Sequence, residues 1–138
     1  STLMRSSAAS DVYKRQQFDN GLPIYLQIVK EMTLRALSGA IEPGEKIPPV
    51  RELAAEFGVN PNTMQRAMAE MEREGLVYTE RTSGRFLTKE TEVLVEKRKS
   101  FAKEETEKYL AYMKKIGFTT EEVASYVKVV GEKGEEQV

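Results

Sequence analysis

The sequence predicts a mainly α fold with a small β wing, and three observations carry that prediction. Apolar residues recur at helical spacing in three consecutive segments, each punctuated by proline or glycine. Two short runs rich in β-branched and aromatic residues then flank a glycine turn in LVYTERTSGRFLT, the signature of a hairpin. Beyond Lys89 the chain turns to long, heavily charged stretches with apolar residues along one side, which predicts two further helices.

The first helix is predicted in PIYLQIVKEMTLRAL, residues 23–37, where Ile24, Ile28, Met32 and Ala36 form a stripe with Tyr25 and Val29 beside it. Pro23 suits its first turn and Gly39 follows its end. IEPGEKIPP supplies a Pro43-Gly44 turn and a short extended piece. VRELAAEF is a short second helix burying Val50, Leu53, Ala54 and Phe57, and Gly58 suits the left-handed conformation that ends helices. A third helix follows in NPNTMQRAMAEMEREG. Asn60 is expected to cap it by accepting from the Thr63 amide, Pro61 fits the first helical position, and Gly75 closes it. Three helices and a hairpin make a winged helix-turn-helix. TEVLVEKRKSFAKEETEKYLAYMKKI and TTEEVASYVKVV are the two C-terminal helices, broken at Gly117-Phe118, and the tail GEKGEEQV is expected to fray.

Composition narrows the chemistry. The chain has 138 residues with no cysteine and no histidine, which removes disulfides, thiol nucleophiles, cysteine zinc sites and the commonest general base. No catalytic residue, metal ligand or cofactor site is expected. Glu104-Glu105 and Glu121-Glu122 read as solvated helix charges, not as an acid–base pair. No apolar run approaches the ~18 residues of a membrane span. The formal net charge is −1, so any attraction to nucleic acid must come from local placement of cations.

The third helix carries the strongest functional signal. Its first turn bears no exposed apolar group, and no acidic residue occurs between Gly58 and Ala69. Asn60, Asn62, Thr63, Gln65 and Arg66 are the residue types that pair with base edges or phosphates from the front of a helix in the major groove. The bland reading of the same residues is a solvated helix start with Asn60 and Thr63 as caps. Arg81 and Arg85 flank Ser83-Gly84 at the wing, where a glycine turn lets backbone approach a phosphate closely. Arg51, at the start of the second helix, is placed to reach the backbone beside the groove, or to pair with Glu52 or Glu56.

Taken in order along the chain, PIYLQI, PGEKIPPVRELAAEFGVNPNTMQRAMAEMEREGLVYTERTSGRF resembles the DNA-binding domain of the GntR family of bacterial transcription regulators, over roughly Leu22 to Thr88. The PG, P-x-x-R-E-L-A and N-T-x-x-R-A blocks are the most specific parts. The resemblance implies that Arg51 grips the DNA backbone near the bases. It also implies that Asn60, Asn62, Thr63 and Gln65 occupy reading positions and that Gly84 sits at the wing tip. Pro49, Pro61 and the SGRF wing depart from commoner family patterns, so base preference does not transfer.

Only residues 90–138 follow the wing, too few for a separate sensor domain and similar to the short YtrA-like subfamily, whose C-terminal helices dimerise and whose members are typically repressors of ABC-transporter operons. The chain is accordingly expected to comprise a winged DNA-binding domain over 17–89 and a helical dimerisation segment over 90–138. Phe101, Tyr109, Tyr112, Ile116, Val123 and Val127 would form the apolar seam of a homodimer. The implied partner is double-stranded DNA with a palindromic operator, in the cytoplasm, with no membrane partner. The sequence names no small-molecule effector. A winged-helix protein-interaction module without DNA binding, and the N-terminal piece of a longer GntR-type sensor, are the alternatives.

The first residues stand apart. STLMRSSAASDVYKRQ, residues 1–16, has neither helical nor strand period and no signal-peptide hydrophobic run. SSAASDVYKRQ within it resembles the in-frame translation of a transposon-type sequencing-library adapter. The segment is expected to be non-native and disordered, with a natural arm as the alternative, and the native chain is expected to begin near Gln17.

Overall fold

The computed structural model describes residues 21–136; the segment expected to be adapter-derived lies outside the described residues. The elements run α1 (Ile24–Leu37), α2 (Val50–Phe57), α3 (Pro61–Arg73), β1 (Val77–Glu80), β2 (Gly84–Leu87), α4 (Thr91–Lys115) and α5 (Thr120–Glu136). They fall into two compact units, the first ending at Lys97 and the second beginning at Arg98. The wing ends near the boundary expected after Lys89. Val93 and Leu94 nevertheless pack against the core of the first unit and carry it further along α4.

The first core is an α1–α2–α3 stack closed by the wing. It buries Ile28, Met32 and Ala36 from α1, Leu53, Ala54 and Phe57 from α2, and Met64, Ala67, Met68 and Met71 from α3. Leu76, Val77 and Leu87 complete it from the hairpin. The α1 stripe differs from the expected one at its head. Ile24 is 45% exposed, while Val29 and Thr33 are buried. A 3.6-residue period drifts off a strict four-residue spacing, so the buried face runs through Ile28, Val29, Met32, Thr33 and Ala36. The Thr33 hydroxyl is satisfied within its own helix, donating to the Val29 carbonyl at 2.7 Å.

The turn from α2 to α3 is short and closed by specific hydrogen bonds. Gly58 adopts φ +68°, and its amide donates to the Ala55 carbonyl at 3.3 Å while the Val59 amide donates to the Ala54 carbonyl at 3.0 Å. This pair of bonds satisfies two carbonyls that the end of α2 would leave open, and it needs a residue without a Cβ at the left-handed position. Asn60 then caps α3, but through a different amide from the expected one. Its Oδ1 accepts from Asn62 N at 2.7 Å, not from Thr63. Either amide meets the capping requirement; the one two residues on is within reach of the short asparagine side chain. Pro61 at the first helical position has no amide to satisfy.

The wing is an antiparallel pair with Val77 opposite Leu87, Tyr78 opposite Phe86, Thr79 opposite Arg85 and Glu80 opposite Gly84. Tyr78 and Phe86 stack across it with ring centroids 5.6 Å apart. The far edge of β2 is covered by the segment before α2. Lys46 forms a bridge with Phe86, Ile47 N donates to the Arg85 carbonyl at 2.8 Å, and Leu87 N donates to the Glu45 carbonyl at 2.9 Å. The extended piece seen in the sequence thus acts as a third rung of the hairpin.

In the second unit, the end of α4 is closed by Gly117 N to the Lys114 carbonyl at 3.1 Å and Phe118 N to the Met113 carbonyl at 3.0 Å. A reciprocal capping box opens α5: Glu122 N donates to Thr119 Oγ1 at 3.2 Å and Thr119 N donates to Glu122 Oε1 at 2.9 Å. Met113 and Val123 are buried, and Phe118 meets Tyr126 edge to face at 5.6 Å. The tail expected to fray is helical to Glu136. Gly131 and Gly134 weaken a helix by ~1 kcal/mol each without removing a backbone donor.

Two stability predictions follow from this core. Met68→Ala, at a side chain with 1% exposure, should lower the unfolding free energy by ~2–5 kcal/mol in urea titration. Glu70 in the last turn of α3 is hydrogen-bonded by the Arg73 guanidinium, which holds its carboxyl below the ordinary 4.5, at about 2. A carboxyl depressed on folding stabilises the native state fully above its unfolded value, and that contribution is lost as pH falls toward the folded value. The slope of urea midpoint against pH between 4.5 and about 2 should therefore be shallower for Glu70→Gln than for the parent; equal slopes would show that Glu70 does not contribute.

Candidate nucleic-acid interface

The front of α3 is built to expose polar side chains. Capping by Asn60 and the donor-free Pro61 start the helix abruptly, and the buried stripe begins only at Met64. Ahead of and beside that stripe, Asn60, Asn62, Gln65 and Arg66 are exposed and Thr63 is half-buried. The side chains of Asn62, Thr63 and Gln65 have no hydrogen-bond partner among the described residues. They are free to meet another molecule, and no carboxylate on this part of the helix competes for their donors.

Arg66 has a different setting. Its guanidinium lies over the Tyr25 ring of α1, 4.0 Å from the ring centroid. That distance is within cation–π range, and stacking occupies the flat face of the guanidinium while leaving its edge N–H groups available.

Arg51 is the second residue of α2 and is exposed. Of the two carboxylates that the sequence offered it, Glu56 instead pairs with Arg35 at 2.6 Å. Among the described residues Arg51 has no ion pair. α2, which carries Arg51, and β1, the first strand of the wing, both pack against α3.

At the wing, Arg81 is exposed in the turn and without an ion pair among the described residues. Arg85 is held more tightly: its side chain is 23% exposed and its Nε lies 4.0 Å from Glu72 Oε1 of α3. That Nε is buried with no hydrogen-bond partner. Gly84, with φ +114°, opens β2. A Cβ at Gly84 would stand 3.2 Å from Lys46 Cε, so the lysine stem passes close to the wing backbone at a glycine that its positive φ already favours.

Lys46 is the cation that the sequence reading missed. The signal was present in the alternation of EKI: Ile47 is buried, so its neighbour in an extended segment faces the other way.

The C-terminal candidates are divided by the structure. Tyr109 and Tyr112 of α4, Ile116 just beyond it and Val127 of α5 are exposed, with Tyr112 at 62% and Val127 at 54%. Phe101 is half-buried. Val123 is 4% exposed and belongs to the interior of its own unit. Tyr126, Val129 and Val130 add to the exposed apolar surface of α5. Among the described residues there is no cluster of carboxylates suited to a metal ion and no helix long and apolar enough to cross a membrane.

Comparison with known proteins places this geometry. Residues 24–87 match the family described as bacterial regulatory proteins, gntR family. The HTH-type transcriptional regulator YhcF of Bacillus subtilis (strain 168) is 40% identical over 118 residues, covering 86% of this chain and 98% of that protein. The HTH-type transcriptional repressor YtrA of the same organism is 35% identical over 109 residues, covering 78% of this chain and 84% of that protein. A GntR family transcriptional regulator from Listeria monocytogenes has a similar solved structure, with a TM-score of 0.74, 39% identity, and coverage of 80% of this chain and 97% of that one. A winged core with a short helical segment after it, shared along nearly the whole length of these relatives, identifies the chain as a transcription regulator of the GntR family, and it belongs with the YtrA-like members.

Proposed function

We propose that this regulator binds double-stranded DNA by inserting the front of α3 into the major groove, with Asn62 and Gln65 reading base edges. The observation that carries the proposal is the pair of exposed, unpartnered amide side chains on a helix whose start is fixed by Asn60 and Pro61. Asparagine and glutamine at such positions match the donor–acceptor pattern of adenine. Asn60 and Thr63 flank them, and Arg51, Arg66, Arg81, Gly84 and Arg85 hold the backbone on either side.

The winged domain of residues 17–89 does the binding, and residues 90–138 make a homodimer in the cytoplasm. Exposed Tyr109, Tyr112, Ile116 and Val127, with Phe101 beside them, support a second copy as the cover of this surface. Val123 serves the protomer's own interior. Two-fold symmetry then calls for a palindromic operator, with half-sites ~34–36 Å apart or a multiple of that spacing. The relative named as a repressor supports repression as the outcome, with a transporter-type operon as the target.

Fluorescence anisotropy with a duplex selected from a random pool, and with an unselected random duplex, tests the reading role. Asn62→Ala should cost ~1–3 kcal/mol on the selected duplex and little on the other. Equal losses on both would reduce Asn62 to a backbone contact. Arg51→Ala should weaken binding to both duplexes and lower the salt slope by about one.

For the assembly, light scattering of the full chain at micromolar concentration should give a dimer mass, and Tyr112→Glu combined with Ile116→Glu should give a monomer with an unchanged helical spectrum. A monomeric parent would remove the palindrome together with the dimer.

A further inference from the structure

Tyr25 and Arg66 form a stacked pair beside the front of α3: Tyr25 packs one side against the core, and Arg66 takes no part in it. Arg66 is exposed, and its guanidinium lies 4.0 Å from the Tyr25 ring centroid. Several other cations of the first unit are held by carboxylates: Arg35 by Glu31 and Glu56, Arg73 by Glu70, and Lys97 by Glu74. The different choice of partner has a chemical consequence. A carboxylate takes up the guanidinium's N–H donors and cancels its charge, so an arginine bound that way is spent. An aromatic face holds the cation without consuming a donor or adding negative charge. The fork stays open in the plane of the ring.

We propose that Tyr25 is a positioning residue for DNA binding, holding Arg66 in place as a preformed clamp for a backbone phosphate at the flank of α3. The inference rests on the DNA-binding reading above. Arg66 leans toward α1, a neighbouring helix, and so away from the front where Asn62 and Gln65 stand. That direction suits the sugar-phosphate strand beside the groove, not the base edges within it. A long arginine free in solvent loses rotamer freedom when it meets a phosphate. Stacked on Tyr25, it has lost much of that freedom before binding, and affinity rises without any new contact to DNA. The planar guanidinium suits both tasks at once, stacking by its face and donating by its edge. A lysine ammonium has no flat face for the first.

The test is a double-mutant cycle on the full chain, read by anisotropy on an unselected random duplex and on a pool-selected duplex over a range of salt. Tyr25→Leu keeps apolar bulk against the core and removes the ring, and Tyr25→Phe keeps the ring and removes the hydroxyl. Tyr25→Leu should weaken binding on the order of three- to tenfold and equally on both duplexes. Tyr25→Phe should bind like the parent. Arg66→Gln should lower the salt slope by about one, and adding Tyr25→Leu to Arg66→Gln should cost nothing more.

Additive losses in the double variant would overturn the proposal, because Tyr25 would then act without Arg66. So would a loss in Tyr25→Phe equal to that in Tyr25→Leu, since the hydroxyl would be the contact. A loss confined to the selected duplex would make Arg66 a base reader and overturn the phosphate assignment. Failure of the parent to bind either duplex is a separate result that removes DNA binding itself. Thermal melts accompany each variant, and Arg66→Lys probes the same coupling from the other side: a parent-like affinity there would show that the stack is dispensable.

Discussion

The path of the backbone between Ala54 and Asn62 is the constraint on which the first unit depends. Two amide–carbonyl bonds close α2 around Gly58, and one asparagine side chain opens α3 two residues later. The Ala54 and Ala55 carbonyls and the Asn62 amide, which the helix ends would otherwise leave open, each have a partner, and Pro61 has no amide to satisfy. The direction of α3 relative to α2 is therefore set locally, before any long-range packing. With that direction given, Met64, Ala67, Met68 and Met71 all point into the space between α1, α2 and the wing. The same rotation leaves Asn62 and Gln65 outward. Core and reading surface are two readings of one helical phase.

Electrostatics is organised by pairing and not by amount. A net charge of −1 gives no bulk attraction to a polyanion. Yet the carboxylates are spent on particular cations. Arg35 bridges Glu31 and Glu56 between α1 and α2; burial opposes its charge, but those two carboxylates outweigh that effect and raise its pKa. Arg73 holds Glu70 at the far end of α3, and Lys97 reaches Glu74 at 2.5 Å. Among the described residues of the first unit, Lys46, Arg51, Arg81 and Lys89 have no carboxylate partner, and Arg66 rests on its aromatic ring. Exposed pairs of the first kind contribute little stability, ~0–1 kcal/mol each. Their larger effect is to occupy carboxylates of α1, α2 and the far end of α3, while the front of α3 carries no carboxylate between Gly58 and Ala69.

Much of this was legible in the residues. Proline and glycine punctuation with a 3.6-residue stripe located the helices, and the glycine between two β-branched runs located the wing. The misses have physical causes. Ile24 stands a strict four-residue step before Ile28, and the 3.6-residue period turns it off the face on which its neighbour Tyr25 meets the core. The capping amide could not be chosen between two allowed donors from sequence. The alternation of EKI turns Lys46 outward, but its place beside the wing depends on the segment before α2 pairing with β2, a long-range contact that local patterns do not encode. Arg66 was legible as a cation, but its ring partner lies on another helix. Val123 looked like a seam residue because an amphipathic stripe does not say which partner will cover it, and the protomer itself covers it.

The side chains at the front of α3 hold nothing together. Asn62 and Gln65 make no side-chain bond among the described residues, and the cap that starts the helix uses the backbone amide of Asn62 and not its carboxamide. Most exchanges at these two positions are therefore close to neutral for folding, because exposed helical sites away from caps shift stability by about half a kcal/mol or less. Selection can vary them while the fold stays where it is. Under the proposed reading role, duplicated copies of such a gene would be free to drift to new target sequences without passing through unfolded intermediates.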